Sequence, residues 1–245
     1  MDSSRNESRE NSTPILLLTS GELDQSITQT GGAGRGGGRA MEDGSPYKVT
    51  VLKEGYSYLD DGGQFRADGT ITLVQGRHTI LVDTGGPQDK DTLLQQLERH
   101  GLTPQDVQYV VCTHGHVDHV GNLNLFPDAT HIVSFDICKG DVYTDHPFKQ
   151  GAAYTIDEQV SVIPTPGHTG ADVNVVVKTE THGTVVIAGD LFEKEADQSD
   201  PSLWQDVSEN PSQQAEGRKH VLAMADFIVP GHGAMFKVQK ETQPS

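Results

Sequence analysis

Three imidazoles and a carboxylate fall within six residues in His114-Gly115-His116-Val117-Asp118-His119. Neutral imidazole nitrogen and carboxylate oxygen are the donors that divalent zinc takes at roughly 2.0 to 2.2 Å, so this cluster has the composition of a metal's ligand shell. In an extended segment His114 and His116 point the same way, because side chains alternate with period two, and together they can pinch one ion. Asp118 and His119 lie just beyond, placed to face a second. A single histidine is more often a surface or satisfied core residue, but four ligands at the spacing HxHxDH point to a metal.

Three later residues extend the set, each in a turn rich in glycine and proline that follows an apolar run. They are His168 in Thr165-Pro166-Gly167-His168, Asp190 in Ala188-Gly189-Asp190, and His232 in Pro230-Gly231-His232-Gly233. Seven ligands are too many for one tetrahedral zinc and suit two ions that share a carboxylate, with Asp190 as the bridge. The chemistry of such a pair is hydrolysis, because two divalent ions acidify a shared water and polarise the group under attack. Asp118 is the expected catalytic residue, a ligand that also handles the proton. His78, His100, His131, His146, His182 and His220 have no partners at ligand spacing and read as surface or structural residues.

Short β-type runs must deliver these side chains. Residues 47–52, 70–74 and 79–82 open a sheet, the last two joined as a hairpin. Residues 88–100, with Leu93, Leu94 and Leu97 on one face and Gly101 behind them, read as an amphipathic helix. The run 108–112 leads straight into His114. Further runs at 131–135, 160–163, 173–177, 184–188 and 227–229, with a helix over about 212–224, complete the set. Three of these end beside His168, Asp190 and His232, so rigid strands present the ligands from loops at one rim.

The chain has 245 residues and a formal net charge of -17. That field repels polyanions at long range and counts against nucleic-acid binding through a basic surface. Residues 1–44 are rich in Ser, Asn, Glu, Gly and Arg and bury too little apolar surface to offset their ordering entropy, so they read as a disordered N-terminal tail. Residues 45–245 read as one catalytic domain. The apolar stretch at residues 15–18 is too short for a secretory leader or a membrane span, which points to a soluble, unsecreted protein. Cys112 and Cys138 make no disulfide framework and suit a reducing compartment.

The HxHxDH cluster followed by a downstream His, an Asp and a last His resembles the metallo-β-lactamase superfamily. The resemblance implies an α/β fold, a four-layer αββα sandwich. It assigns His114, His116 and His168 to one metal and Asp118, His119 and His232 to the other, with Asp190 between them and two Zn2+ per chain. Asp at position 190, where one subclass of antibiotic-hydrolysing lactamases carries Cys, makes the metal pair similar to that of glyoxalase II. Val82-Asp83-Thr84-Gly85-Gly86 matches an early strand-turn motif of the family, in which Asp83 supports the ligand loops rather than binding metal. A closer likeness over residues 45–238 runs to a vertebrate branch associated with endoribonucleolytic cleavage of histone pre-mRNA in the cytoplasm and nucleus. It implies an RNA substrate and phosphodiester hydrolysis.

The residues themselves leave the substrate open. A glyoxalase II-like thioesterase or other small-molecule hydrolase is one alternative, although only 13 residues follow His232, too few for the helical substrate domain of that family. A mononuclear-iron persulfide dioxygenase would use the same cluster. Lys139, Tyr143, Phe148 and Lys149, in the irregular stretch before residue 160, are candidate substrate contacts. Exposed strand edges leave room for a homodimer.

Overall fold

The computed structural model describes residues 46–240; the expected tail over residues 1–44 lies outside them. In chain order the first half holds β1 (Lys48–Lys53), β2 (Tyr56–Leu59), β3 (Phe65–Asp68), β4 (Ile71–Gln75), β5 (Thr79–Val82), α1 (Lys90–Arg99), β6 (Tyr109–Cys112), α2 (Val117–Val120), β7 (Thr130–Val133), β8 (Asp136–Lys139) and β9 (Val142–Thr144). The second half holds β10 (Tyr154–Thr155), β11 (Val160–Pro164), β12 (Val173–Thr179), β13 (Gly183–Gly189), α3 (Pro211–Met224), β14 (Phe227–Pro230) and β15 (Phe236–Lys237).

These strands form two large sheets and a hairpin. The first sheet runs β1-β4-β5-β6-β7-β8-β9, the second β10-β11-β12-β13-β14-β15, and β2 pairs only with β3. The order follows from apolar runs that are buried on both faces. Along β5, Ile80 and Val82 turn inward to a core shared by the two sheets while Leu81 turns outward to a second core with Leu93 and Leu97 of α1. Along β13, Val185 and Ile187 join the shared core while Val186 and Ala188 meet Val221 of α3 in a third. Three apolar layers separate four layers of structure, so the expected αββα sandwich is what the chain adopts.

The parallel pairs set the position of the site. β5, β6 and β7 run in one direction, as do β13 and β14. Loops at the carboxyl ends of such strands gather at one rim, where open α/β sheets commonly place ligands. Asp83 follows β5, His114 follows β6, Asp190 follows β13 and His232 follows β14. The two rims are tied together by the Val173 N–H, at the start of β12, which donates to Thr113 O at 2.8 Å.

Several local expectations change. The strand expected over 131–135 ends at Val133, because Ser134 takes a φ of 54° and turns the chain back into β8. The β2–β3 hairpin was not expected. Phe148 is not a surface contact: it is 1% exposed and stacks on Phe135 at 5.4 Å, since its ring completes the core between the sheets. Both cysteines are free. No helix among the described residues is long and apolar enough to cross a membrane.

Candidate metal centre

All seven residues singled out in the sequence meet at the rim. One group has His114 Nε2 and His116 Nδ1 at 2.9 Å, and His116 Nδ1 and His168 Nε2 at 3.2 Å. Asp190 Oδ2 lies 3.6 Å from His114 Nε2 and 3.3 Å from His168 Nε2. In the other group, Asp118 Oδ2 lies 3.8 Å from both His119 Nε2 and His232 Nε2. Asp190 reaches this group too, with Oδ1 at 3.2 Å from His119 Nε2 and Oδ2 at 3.2 Å from His232 Nε2. Asp190 thus stands between the groups, as a bridging carboxylate must.

Local structure explains how the side chains converge. His116 keeps extended backbone and opens α2, whose one turn carries Asp118 and His119 round to the other side of the cluster. Gly69 packs against the carbonyl of Asp118 so closely that any Cβ would strike it. Gly189, at a φ of 48°, lets the chain turn from β13 into Asp190 beside the Thr113 side chain, where a Cβ has no space.

The far nitrogens of the rings are held from behind. His119 Nδ1 meets Asp83 Oδ2 at 2.8 Å, and His232 Nδ1 meets the carbonyl of Asp68 at 3.1 Å. A ring whose Nδ1–H donates backward offers its Nε2 lone pair forward, the tautomer a metal ligand needs. Asp83 sits at a φ of 59°, and its Oδ1 accepts the Thr113 N–H at 2.7 Å, so one strained residue fixes both the loop after β6 and the His119 ring.

Burial and charge compete within the cluster. Burial pushes His114 well below the ordinary imidazole range, helped by His119 beside it, and pushes His168 down as well. Burial would raise the Asp190 carboxyl, but His119, His114 and His232 hold it well below the carboxylate range. Against their own burial, Asp190 lifts His119 well above its usual value and His232 to about 9. Asp190 therefore calls for positive charge at this point. A divalent cation carries that charge, and its binding displaces protons from such rings. The donor set fits one: His119 Nε2 and Asp190 Oδ1 are buried with no hydrogen-bond partner, and atoms that face each other at 2.9 to 3.2 Å are spaced as donors around a common ion.

Other residues at the site escaped sequence reasoning. Glu193 Oε2 lies 3.8 Å from His232 Nε2 and accepts from Ser57 Oγ at 3.3 Å. Burial raises the Glu193 carboxyl to about 7, with Asp190 adding to the rise. Gln214 and Arg218, from α3, donate to the carbonyls of Asp190 and Leu191 at 2.9 and 2.6 Å and clamp the bridging loop from behind. Asp172 gathers the His168 loop by accepting the N–H groups of Gly167 and Thr169. Of the expected substrate contacts, Tyr143 and Lys149 line a cleft of about 500 Å³ with Phe135 and His146, while Lys139 does not. That cleft includes none of the seven clustered residues.

Two sheets packed face to face, with a His/Asp cluster at the joined rims, define a metallohydrolase of one fold, and the chain belongs to the metallo-β-lactamase superfamily. The superfamily's model matches residues 66–153. Over most of its length the chain is similar to proteins named metallo-beta-lactamase domain-containing protein 1. It is 50% identical over 202 residues to that of Xenopus laevis, covering 82% of this chain and 85% of the relative. It is 42% identical over 232 residues to that of Homo sapiens, covering 82% and 86%. Among solved structures it resembles AidC, a dizinc quorum-quenching lactonase in complex with a homoserine product, at a TM-score of 0.51 and 16% identity, covering 74% of this chain and 82% of that one.

Proposed function

We propose that the chain is a two-zinc hydrolase whose substrate is a phosphodiester in single-stranded RNA, the 3′ end of histone pre-mRNA in the cytoplasm and nucleus. The observation that carries the hydrolase reading is the Asp190 carboxylate, which reaches both nitrogen groups at 3.2 to 3.6 Å: Oδ2 meets His114, His168 and His232, and Oδ1 meets His119. His114, His116 and His168 would hold one zinc, and Asp118, His119 and His232 the other. When bound, two such ions polarise the scissile group and bring the pKa of a water close to neutrality.

The chain's own residues do the rest. The Asp118 side chain is 23% exposed while the other donors of its group are buried, so it is the carboxylate of that group open to an incoming substrate. It accepts a proton from the attacking water and returns it to the leaving oxygen. Asp83 and the Asp68 carbonyl keep His119 and His232 aimed.

The β2–β3 hairpin supports an RNA substrate. Its base is at the site, since Ser57 reaches Glu193, the Asp68 carbonyl meets His232, and Lys194 Nζ donates to Ser57 O at 3.2 Å. Its surface exposes Tyr56, Tyr58 and Phe65, with the Tyr56 and Tyr58 rings 5.6 Å apart and Arg66 paired opposite Tyr58. Aromatic side chains of this kind stack on unpaired bases at about 1–3 kcal/mol per base, which suits a protein whose net charge repels the phosphate backbone.

Zinc-loaded protein, beside His116→Ala and Asp118→Ala, is incubated with labelled RNA spanning a histone pre-mRNA 3′ end, and cleavage is followed on a gel. Zinc-dependent cutting lost in both variants is expected. A fully metallated protein that leaves this RNA intact would overturn the RNA reading. The likeness to AidC favours a second reading, hydrolysis of a lactone, and N-hexanoyl-homoserine lactone turnover in the same preparation tests it.

A further inference from the structure

One acidic side chain reaches the cluster without belonging to either ligand group. After β13 the chain makes a single tight turn, with Leu191 N–H donating to Ala188 O and Phe192 N–H to Gly189 O. That turn places residues 190 and 193 on one side, as a helical turn does. Glu193 is consequently 5% exposed and directed at His232. The donor atoms of Asp190, Glu193 and His232 all lie within 4.8 Å of one another. From His232 Nε2, Asp190 Oδ2 is at 3.2 Å and Glu193 Oε2 at 3.8 Å. Donors about 2.1 Å from one ion are about 3 to 4 Å apart, so these separations suit a shared cation. Asp190 Oδ1, buried and without a hydrogen-bond partner, faces His119 Nε2 at 3.2 Å, which leaves Oδ2 as the oxygen that meets His232.

We propose that Asp190, Glu193 and His232 form an alternative seat for the second cation, next to the seat made by Asp118, His119 and His232. This rests on the two-metal reading of the site. Both seats use His232 Nε2, and one imidazole nitrogen binds one ion, so filling one seat empties the other. Their chemistry differs. Two imidazoles and a carboxylate suit zinc, whereas two carboxylates and one imidazole suit an oxygen-seeking divalent ion such as manganese(II).

The test uses full-length protein stripped of metal and given one equivalent of zinc to fill the three-histidine group. Manganese(II) is then titrated and the free ion followed by electron paramagnetic resonance, for wild type, Glu193→Gln and Asp118→Asn. A parallel zinc titration gives the zinc stoichiometry. Glu193→Gln is expected to weaken manganese binding at least 10-fold while still taking up two zinc ions. Asp118→Asn is expected to do the reverse, losing the second zinc and holding manganese within threefold of wild type. Each variant controls for the other's folding. Manganese affinity unchanged in Glu193→Gln, or weakened equally in both variants, would overturn the alternative seat. Wild-type protein that binds no second cation of either kind overturns the two-metal reading itself, and this inference with it.

Discussion

Asp83 Oδ2 and His119 Nδ1 face each other at 2.8 Å, both fully inside the protein, while the other oxygen of the same carboxylate holds the backbone of Thr113. The pair settles which nitrogen of His119 points into the cluster. Asp83→Asn keeps the shape and tolerates the positive φ, but its amide nitrogen must face either the Thr113 N–H or His119. A 10- to 100-fold loss of affinity for the second zinc is expected, with the first retained, as measured by competition with a chromogenic chelator. Unchanged affinity for both ions would show that the ring is held in place by packing alone.

Gly69→Ala acts through a neighbour. The added methyl meets the Asp118 carbonyl and lies 3.2 Å from His119 Cε1, so α2 must move. Overpacking of this kind costs roughly 1–3 kcal/mol, and the displaced Asp118 lowers kcat. Thermal unfolding and steady-state kinetics on the same preparation check both effects.

Arg218 is buried between the rings of Phe192 and Trp204, at 4.0 and 4.6 Å, and pairs with the fully buried Asp197 at 3.0 Å. Arg218→Met leaves that carboxylate uncompensated, a loss of about 3–5 kcal/mol by urea denaturation. Adding Asp197→Asn is expected to recover part of it. If the single and double variants unfold at the same urea concentration, the stranded charge is not the cause.

Burial raises the Asp172 carboxyl to about 6, although Thr169 and Gly167 donate to it. The unfolded value is about 3.9, so between these values the folded chain holds a proton that the unfolded chain has released. Stability from this residue is therefore present at pH 4 and is lost as pH rises to about 6, by on the order of 2–3 kcal/mol. Urea midpoints at pH 4, 5 and 6 for wild type and Asp172→Asn isolate the effect, and the difference between the two proteins is expected to change across that window.

Tyr58→Ala removes a ring that is 53% exposed, so the fold should be unaffected. If it stacks on a base, KM for the RNA rises about 5- to 100-fold with kcat nearly unchanged. Wild-type KM in this variant would remove the hairpin from substrate binding.

The ligands were legible because each follows an apolar run, and a strand buried on both faces leaves a plain signal: Val110 and Val111 before His114, Val186 to Ala188 before Asp190, Ile228 and Val229 before His232. Asp83 was legible as a supporting residue from its place after Val82. The β2–β3 hairpin was not, since Tyr56, Tyr58, Leu59 and Phe65 are all exposed and no buried face imposes a period. Phe148 reads as a surface residue because Pro147, Lys149 and Gln150 around it have the composition of a surface loop, while the ring itself turns inward. Glu193 stayed hidden for the opposite reason, as an acidic residue in a loop reads as solvated until its burial is known.

The Val173–Thr113 hydrogen bond marks a seam where the two sheets meet, and both ligand groups straddle it. His114 and His116 hang from the first sheet and His168 from the second; Asp118 and His119 hang from the first, His232 from the second. Each ion would then work as a rivet through two plates. Stripping the metals should loosen the rim end of the sandwich and leave the opposite end fastened by its apolar core, so amide exchange on chelation should spread inward from the site as a gradient along the strands.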